Sequence, residues 1–184
     1  VIANPPLTET HREEFAQFFR ATKRPQVLIV RDFPEAADER LYQLAAIFEW
    51  LPIFVVGGSS GVTRLRKRGM RRIYHLGAYQ FFNYKGLRLM GVPALDESLA
   101  EGWVLTGGSA SVWFQGRYSP TSAIACKTRV YLRRPLSAVM PPVPPTPWPL
   151  TTAAYQDWRQ GVLAARADVI CLPARDTYSA VKKD

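Results

Sequence analysis

The sequence predicts a mixed α/β fold: an N-terminal βαβ unit, then antiparallel hairpin strands, then a C-terminal helix and strand, in a twisted mixed sheet with flanking helices. Three observations lead to this class. Two short β-branched runs, residues 26–30 and 53–56, flank an apolar stripe at helical spacing. A turn sequence at 83–86 joins two strand-like segments. Near the C-terminus a second helical stripe precedes the β-branched run 168–172.

The βαβ unit is recognised by its boundaries. Asp32 and Glu35 have the spacing of a capping box, in which side-chain oxygens accept bonds from the first N–H groups of a helix. The helix that follows ends before Pro52, which has no N–H to donate. We therefore expect residues 26–30 and 53–56 to be parallel strands joined by a right-handed crossover.

The middle of the chain reads as antiparallel strands. Residues 73–82 and 87–92 are expected to form a hairpin. Residues 103–114 and 123–132 predict two further strands, the first of them bulged or bent at 107–108. These segments supply the antiparallel part of the predicted sheet.

The chain of 184 residues is long enough for one domain with its own core. We expect a mixed α/β domain over residues 1–139. The proline-rich segment 140–150 predicts a stiff polyproline II strap. Residues 151–184 are expected to pack back on the same domain as a helix and a strand and to end in a mobile tail. Rejoining the first sheet is one course open to this helix and strand.

The composition is that of a folded, basic protein. The hydrophobic fraction is 47%, the formal net charge is +9 and the isoelectric point is about 9.9. This balance excludes a disordered chain. It favours nucleic acid, an acidic protein surface or an anionic membrane surface as partner, and a basic surface without a dedicated partner is an equal interpretation.

The only long apolar run, residues 41–56, contains Glu49 and Pro52 and is interpreted as core rather than as a membrane span. The chain begins with Val-Ile-Ala, so a removed leader and a start inside a longer protein are both open. Cytoplasm and bacterial periplasm or envelope therefore stay open as locations.

Cysteine and histidine give no sign of a metal centre. Cys126 and Cys171 lie in apolar, strand-like runs, which favours two buried free thiols over a disulfide. His11 and His75 lack partners at ligand spacing. We expect neither a metal nor a cofactor.

The most distinctive segment combines glycines, cations and aromatic rings. A glycine-rich loop of backbone N–H donors is followed by a basic stretch and then by rings that offer stacking surfaces. The candidate phosphate loop is Gly57, Gly58, Ser59, Ser60 and Gly61. The candidate polyanion-binding residues are Arg64, Arg66, Lys67, Arg68, Arg71 and Arg72. The candidate stacking residues are Tyr74, Tyr79, Phe82 and Tyr84.

Residues 54–62 resemble the glycine loop of short-chain dehydrogenases, which implies a cradle for a dinucleotide pyrophosphate. Thr63 stands where that family has a third glycine, and no Tyr-x-x-x-Lys pair follows. A plainer phosphate loop, with Ser59 and Ser60 as donors and Arg64 as counter-charge, and a simple tight turn are the alternatives.

Residues 95–107 and 127–133 resemble the helix–strand–strand pattern of the curli-secretion lipoprotein group. That resemblance implies an envelope assembly component that acts through protein–protein contacts. The lipidated N-terminal cysteine of the group is absent from this chain.

A cluster of carboxylates follows the first predicted strand, where open α/β sheets often place their sites. Its members are Asp32, Glu35, Asp38 and Glu39. A metal-assisted or acid–base role is one interpretation, and helix capping is the other.

The sequence favours, as its first hypothesis, a non-catalytic basic subunit of a macromolecular assembly that contacts nucleic acid or an acidic partner surface, alongside other protein subunits. The second hypothesis is a bacterial envelope or secretion-system component. The third is an enzyme that binds a phosphorylated ligand or nucleotide at the Gly57–Gly61 loop. No catalytic residue is identified from the sequence.

Overall fold

The structure is a computed structural model that describes residues 2–3, 27–47, 51–142 and 153–171. Its strands and helices follow in chain order: β1 Ile2–Ala3, β2 Leu28–Arg31, α1 Asp38–Ile47, β3 Ile53–Val56, α2 Ser60–Lys67, β4 Ile73–Leu76, β5 Phe81–Tyr84, β6 Leu87–Val92, β7 Gly102–Gly107, β8 Ala110–Phe114, α3 Ser122–Leu132, β9 Leu136–Met140, α4 Ala153–Ala164 and β10 Ala167–Ile170. A short 3-10 turn, Glu35–Ala37, leads into α1. The predicted mixed α/β class is confirmed.

The first sheet has the order β1-β2-β3-β4, and every pair in it is parallel. The β2-α1-β3 connection is the predicted βαβ unit. Strands β2 and β3 are buried along nearly their whole length, as uninterrupted β-branched runs require. Leu41 of α1 and Leu65 of α2 are fully buried in the core that contains Val55 and Ile73.

The second sheet has the order β10-β9-β8-β7-β6-β5. Strands β5 to β8 are antiparallel neighbours, whereas β8, β9 and β10 are parallel. Its core lies on one face and includes Val104, Trp113 and Val139, together with Ile124 of α3 and Val162 of α4.

The chain therefore forms two sheets, whereas one twisted sheet was predicted from the sequence. The predicted strand 73–82 is interrupted at residues 77–80, where Gln80 N–H donates to the Gly77 carbonyl at 3.2 Å and Tyr79 adopts a left-handed φ of 55°. Residues before this turn pair with β3, and residues after it pair with β6.

The predicted strand 123–132 is a helix, α3. The Thr121 hydroxyl accepts a bond from Ile124 N–H at 3.3 Å, and Arg133 ends the helix in the left-handed region. Ile124, Thr128 and Leu132 recur at helical spacing on the buried side. This period of 3.6 outweighs the β-branched content of the segment.

Three further details differ from expectation. Residues 103–114 form a hairpin, β7 and β8, because the Gly108-Ser109 pair makes a turn instead of a bulge. Strand β9 was not predicted. The last strand, β10, joins β9 in the second sheet and not the first sheet.

The chain divides into two compact units, Val1–Leu76 and Gly77–Asp184. The division falls inside the segment 1–139 that was expected to form one domain, and that single domain stays a prediction. The proline-rich strap lies outside the described residues from 143 onward, and the tail lies outside them from 172 onward.

Cys126 and Cys171 are free and exposed, so the expectation of buried thiols is wrong. Cys126 was placed in a buried strand, but it lies on the outer side of α3. Within the described ranges, no helix is both long enough and apolar enough to cross a membrane.

Candidate active site at the carboxyl edge of the parallel sheet

Strands β2, β3 and β4 run parallel, so their carboxyl ends meet at one edge of the sheet. Asp32 follows β2 directly, Gly57 and Gly58 follow β3, and His75 lies one residue before the end of β4. This is the edge at which open α/β sheets bind ligands. The four residues belong to the same compact unit.

Asp32 lies against the glycine loop. Its N–H donates to the Val56 carbonyl at 2.8 Å, and its Oδ1 accepts from Phe33 N–H at 3.1 Å. A Cβ on Gly58 would stand 2.7 Å from Asp32 Oδ2, and a Cβ on Gly57 would stand 3.0 Å from Asp32 Cβ. Position 57 favours glycine because its φ is 112° and it packs against Asp32, whereas a Cβ at position 58 would displace the Asp32 carboxylate.

His75 lies on the other side of the same loop. Its Nε2 is 2.6 Å from the Gly57 carbonyl oxygen. A carbonyl only accepts, so Nε2 carries the proton and donates it. In the neutral ring Nδ1 is then the unprotonated nitrogen, and among the described residues nothing bonds to it. His75 is thereby held in the tautomer that leaves Nδ1 as a base.

Arg64 of α2 binds Asp38 at the start of α1 through two parallel bonds. Its Nε donates to Oδ2 at 2.7 Å and its Nη2 to Oδ1 at 2.8 Å, while Nη2 also reaches the Phe33 carbonyl at 3.2 Å. Asp38 is only 5% exposed. The hydrogen bond from Arg64 lowers the pKa of Asp38 below its usual value, and the same bond raises the pKa of Arg64.

The other predicted polyanion-binding residues are distributed between structural contacts and the surface. Arg68 pairs with Glu39 at 2.5 Å, with its guanidinium 4.9 Å from the ring centroid of Tyr42. Arg66 donates from Nη2 to the Ile73 carbonyl at 2.9 Å. The remaining three, Lys67, Arg71 and Arg72, are exposed. Arg64, Arg66 and Arg68 therefore each contact another element of the first unit, and a binding role for the set stays a prediction.

The predicted phosphate loop leads into α2, and the glycines at its two ends pack against different residues. Gly58 faces the Asp32 carboxylate, and Gly57 faces the Cβ and backbone of Asp32. A Cβ on Gly61 would stand 2.7 Å from the Phe33 ring. Ser59 is the N-cap of α2 and makes no capping bond with its side chain. Ser60 is exposed.

The predicted stacking residues occupy both units. Tyr74 stacks on Phe54 with 5.3 Å between ring centroids, in the first unit. In the second unit Tyr79 stacks on Tyr131 at 4.8 Å. Two further members, Phe82 and Tyr84, are half-buried on β5. Tyr74 and Tyr79 thus already have an aromatic partner from within their own unit.

The sequence matches no known family profile and no curated protein. Solved structures do resemble it. The metallo hydrolase Igni18 from Ignicoccus hospitalis is similar with a TM-score of 0.62 and 13% identity over 97% of this chain and 74% of its own. The metallo-β-lactamase fold protein YhfI from Bacillus subtilis gives 0.54 and 9% over 91% and 75%.

The diiron β-hydroxylase CmlA from Streptomyces venezuelae gives a TM-score of 0.59 and 14% identity over 84% of this chain. The chain spans only 36% of that protein. At such identities the likeness shows a shared fold and nothing about a shared reaction.

These structures overturn the first functional hypothesis. The solved proteins that share the fold include a metallo hydrolase and a diiron hydroxylase, both metal-dependent enzymes, and not basic interaction subunits. The prediction of a non-catalytic basic protein is therefore wrong, and so are the associated expectations of nucleic-acid binding and of a secretion system. The first hypothesis relied on the net charge and on the glycine-rich loop. Both describe the surface of a protein, whereas the arrangement of strands defines its fold.

A metal centre of the kind that these structures imply does not fit the residues that the structure describes. Protein sites for zinc or iron gather at least three His, Cys, Asp or Glu side chains. No such group of three occurs among the described residues. At the carboxyl edge both Asp38 oxygens are bound by Arg64, and His75 offers Nδ1 alone because its Nε2 donates to a carbonyl.

Sequence reasoning identified Asp32 and the glycine loop but missed His75. Its importance comes from the register Val55↔His75, which places it beside Gly57. A lone histidine in a four-residue strand carries no motif. Only the parallel pairing of β3 with β4 could have indicated its position.

Proposed function

We propose that this chain is a hydrolytic enzyme, or the catalytic part of one, whose reaction takes place at the carboxyl edge of the parallel sheet. The proposal rests on one observation: Asp32 and His75 contact the same Gly57–Gly58 turn from two sides. Its class is supported by the fold, which the chain shares with a metallo hydrolase.

His75 would act as the general base. Its Nδ1 would accept a proton from water as the water oxygen forms a bond to the substrate carbonyl carbon, and that proton would pass to the leaving group as it departs. Asp32 would accept a hydrogen bond from the water or the substrate and hold it beside the loop. The donation from Nε2 to the Gly57 carbonyl keeps the ring oriented for this role.

The carboxylate of Asp32 favours a neutral substrate such as an ester or an amide. A phosphate placed over Gly57 and Gly58 would face this negative charge at close range. One observation favours the phosphorylated ligand as a second candidate: the N-terminus of α2 lacks a side-chain cap at Ser59, which leaves backbone donors for an anion.

The test compares hydrolysis of p-nitrophenyl acetate and p-nitrophenyl phosphate by the wild type, Asp32→Asn and His75→Gln. We expect the acetate to be turned over faster than the phosphate, and His75→Gln to lower kcat/KM by about 100-fold, the usual contribution of a general base. Asp32→Asn should lower kcat/KM as well, because it weakens the acceptor that holds the water or the substrate. Asp96→Asn is the control, because Asp96 lies in the other compact unit and its Oδ1 accepts from Ser98 N–H.

Melting temperatures of all variants separate lost chemistry from lost folding. The proposal would be contradicted if both site variants hydrolysed the compounds at the wild-type rate. It would also be contradicted if the wild type hydrolysed neither compound faster than buffer alone. Preference for the phosphate, together with competitive inhibition by inorganic phosphate, would favour the second candidate instead.

A further inference from the structure

The carboxyl edge that follows β2 is acidic and carries its own counter-charge. Asp32, Glu35 and Asp38 lie within one short segment, and Arg64 of α2 reaches into it. An uncompensated set of carboxylates at such an edge would repel one another, and in metal-dependent enzymes a bound cation removes that repulsion. The question is therefore which cation this edge uses.

We propose that the Arg64 guanidinium is the resident cation of this edge and balances there the charge that a divalent metal ion would otherwise balance. The inference concerns charge and ligand oxygens only, so it holds whether or not Asp32 and His75 carry out hydrolysis.

The oxygens that Arg64 occupies are those a hard metal ion would use. Ca²⁺ and Mg²⁺ bind carboxylate oxygens and backbone carbonyls. Arg64 takes both oxygens of Asp38, at 2.7 and 2.8 Å, and the Phe33 carbonyl at 3.2 Å. The planar guanidinium matches a carboxylate with two parallel bonds, so this pairing is both strong and directional.

The electrostatics of the edge agree with this geometry. The pKa of Arg64 is raised first by its hydrogen bond to Asp38 and then by the charges of Asp38, Glu35 and Asp32. The guanidinium thus lies in the field of all three carboxylates. The Phe33 ring adds a further contact, with its centroid 5.9 Å from Arg64 Cζ.

A histidine at the same edge offers one nitrogen. His75 donates from Nε2 to the Gly57 carbonyl, which leaves Nδ1 as its only nitrogen with a lone pair. One nitrogen does not complete a metal site, because no group of three potential ligands occurs among the described residues, at this edge or elsewhere. Arg64 is the cation that binds the Asp38 carboxylate directly, and the charge of Arg68 also lowers the pKa of Asp38.

The experiment uses the full chain and two arginine variants. Arg64→Met removes the guanidinium, whereas Arg68→Met removes an exposed partner of Glu39 and is the matched control. We expect the wild type to contain much less than one metal ion per chain by elemental analysis, and its melting temperature to be unchanged by millimolar EDTA.

We expect Arg64→Met to melt about 5 °C lower or more, because it leaves the buried Asp38 carboxylate without its partner. Millimolar MgCl₂, CaCl₂ or MnCl₂ should then raise the melting temperature of Arg64→Met by about 2 °C or more, since a cation that binds only the native state stabilises it. The wild type and Arg68→Met should not respond.

Two results would overturn the proposal. One is a wild type that holds a stoichiometric metal ion or is destabilised by EDTA. The other is a folded Arg64→Met that none of the three cations stabilises. If Arg64→Met does not fold, the metal content and EDTA response of the wild type decide alone.

Discussion

Gly91, in the middle of β6, has no room for a side chain. A Cβ at this position would stand 2.2 Å from the Gly77 carbonyl oxygen, and backbone cannot move aside as a flexible side chain can. The close approach belongs to the turn that separates the two sheets, because Tyr79 N–H and the Gly91 carbonyl are bonded there at 2.8 Å. Position 91 therefore fixes the course of the chain after β4.

We expect Gly91→Ala to lower the free energy of unfolding by about 3 kcal/mol or more, because the methyl group forces two backbone segments apart. Urea unfolding followed by circular dichroism measures this loss. Gly69→Ala is the control: Gly69 has a φ of 94° but nothing within 4 Å, so its cost is the left-handed backbone alone, about 1–2 kcal/mol. Equal losses in the two variants would contradict the steric argument.

The β5–β6 hairpin closes through a turn for which only one of its two central residues is well suited. Lys85 and Gly86 both have positive φ, 48° and 79°, as a type I′ turn requires. Glycine adopts this geometry without strain, whereas lysine does not. Asparagine is the residue that this first position favours.

Lys85→Asn is therefore expected to raise the free energy of unfolding by about 0.5 kcal/mol relative to Lys85→Gln. Both variants lose the contact between the Lys85 ammonium and the Tyr84 ring, which are 5.4 Å apart, so their difference isolates the turn. Thermal or urea unfolding gives the comparison. A glutamine variant as stable as the asparagine variant would show that turn conformation is not limiting here.

The fold class of the protein could be predicted from local patterns in its sequence. The β-branched runs identified β2 and β3, the apolar stripe between them identified α1, and the turn at 83–86 identified the β5–β6 hairpin. The capping box predicted at Asp32 and Glu35 is wrong, because the N-cap is Pro34 and Asp32 Oδ1 accepts from Phe33 N–H instead. The prediction also failed at α3, where a β-branched segment follows the spacing of a buried helix face, and at 77–80, where a turn without proline separates two sheets.

The candidate site was harder to predict from the sequence than the fold. Arg64, Arg66 and Arg68 looked like a basic surface, but each has a partner that is distant in sequence or lies across a turn: Asp38, the Ile73 carbonyl and Glu39. Such partners depend on how α1, α2 and β4 pack. A charge run alone cannot distinguish cations that bind a ligand from cations that bind the protein.

Paired strands lie closer together in sequence in the second sheet than in the first. We therefore expect the second sheet to form earlier when the protein folds. Strands β5 to β8 pair with their immediate neighbours in sequence: turns at 85–86 and 108–109 join two of the pairs, and residues 93–101 join β6 to β7. Each parallel pair in β2 to β4 must first close a loop that contains a helix. In pulsed hydrogen exchange during refolding, amides of β5–β8 should become protected before those of β2–β4, and the reverse order would contradict this kinetic consequence.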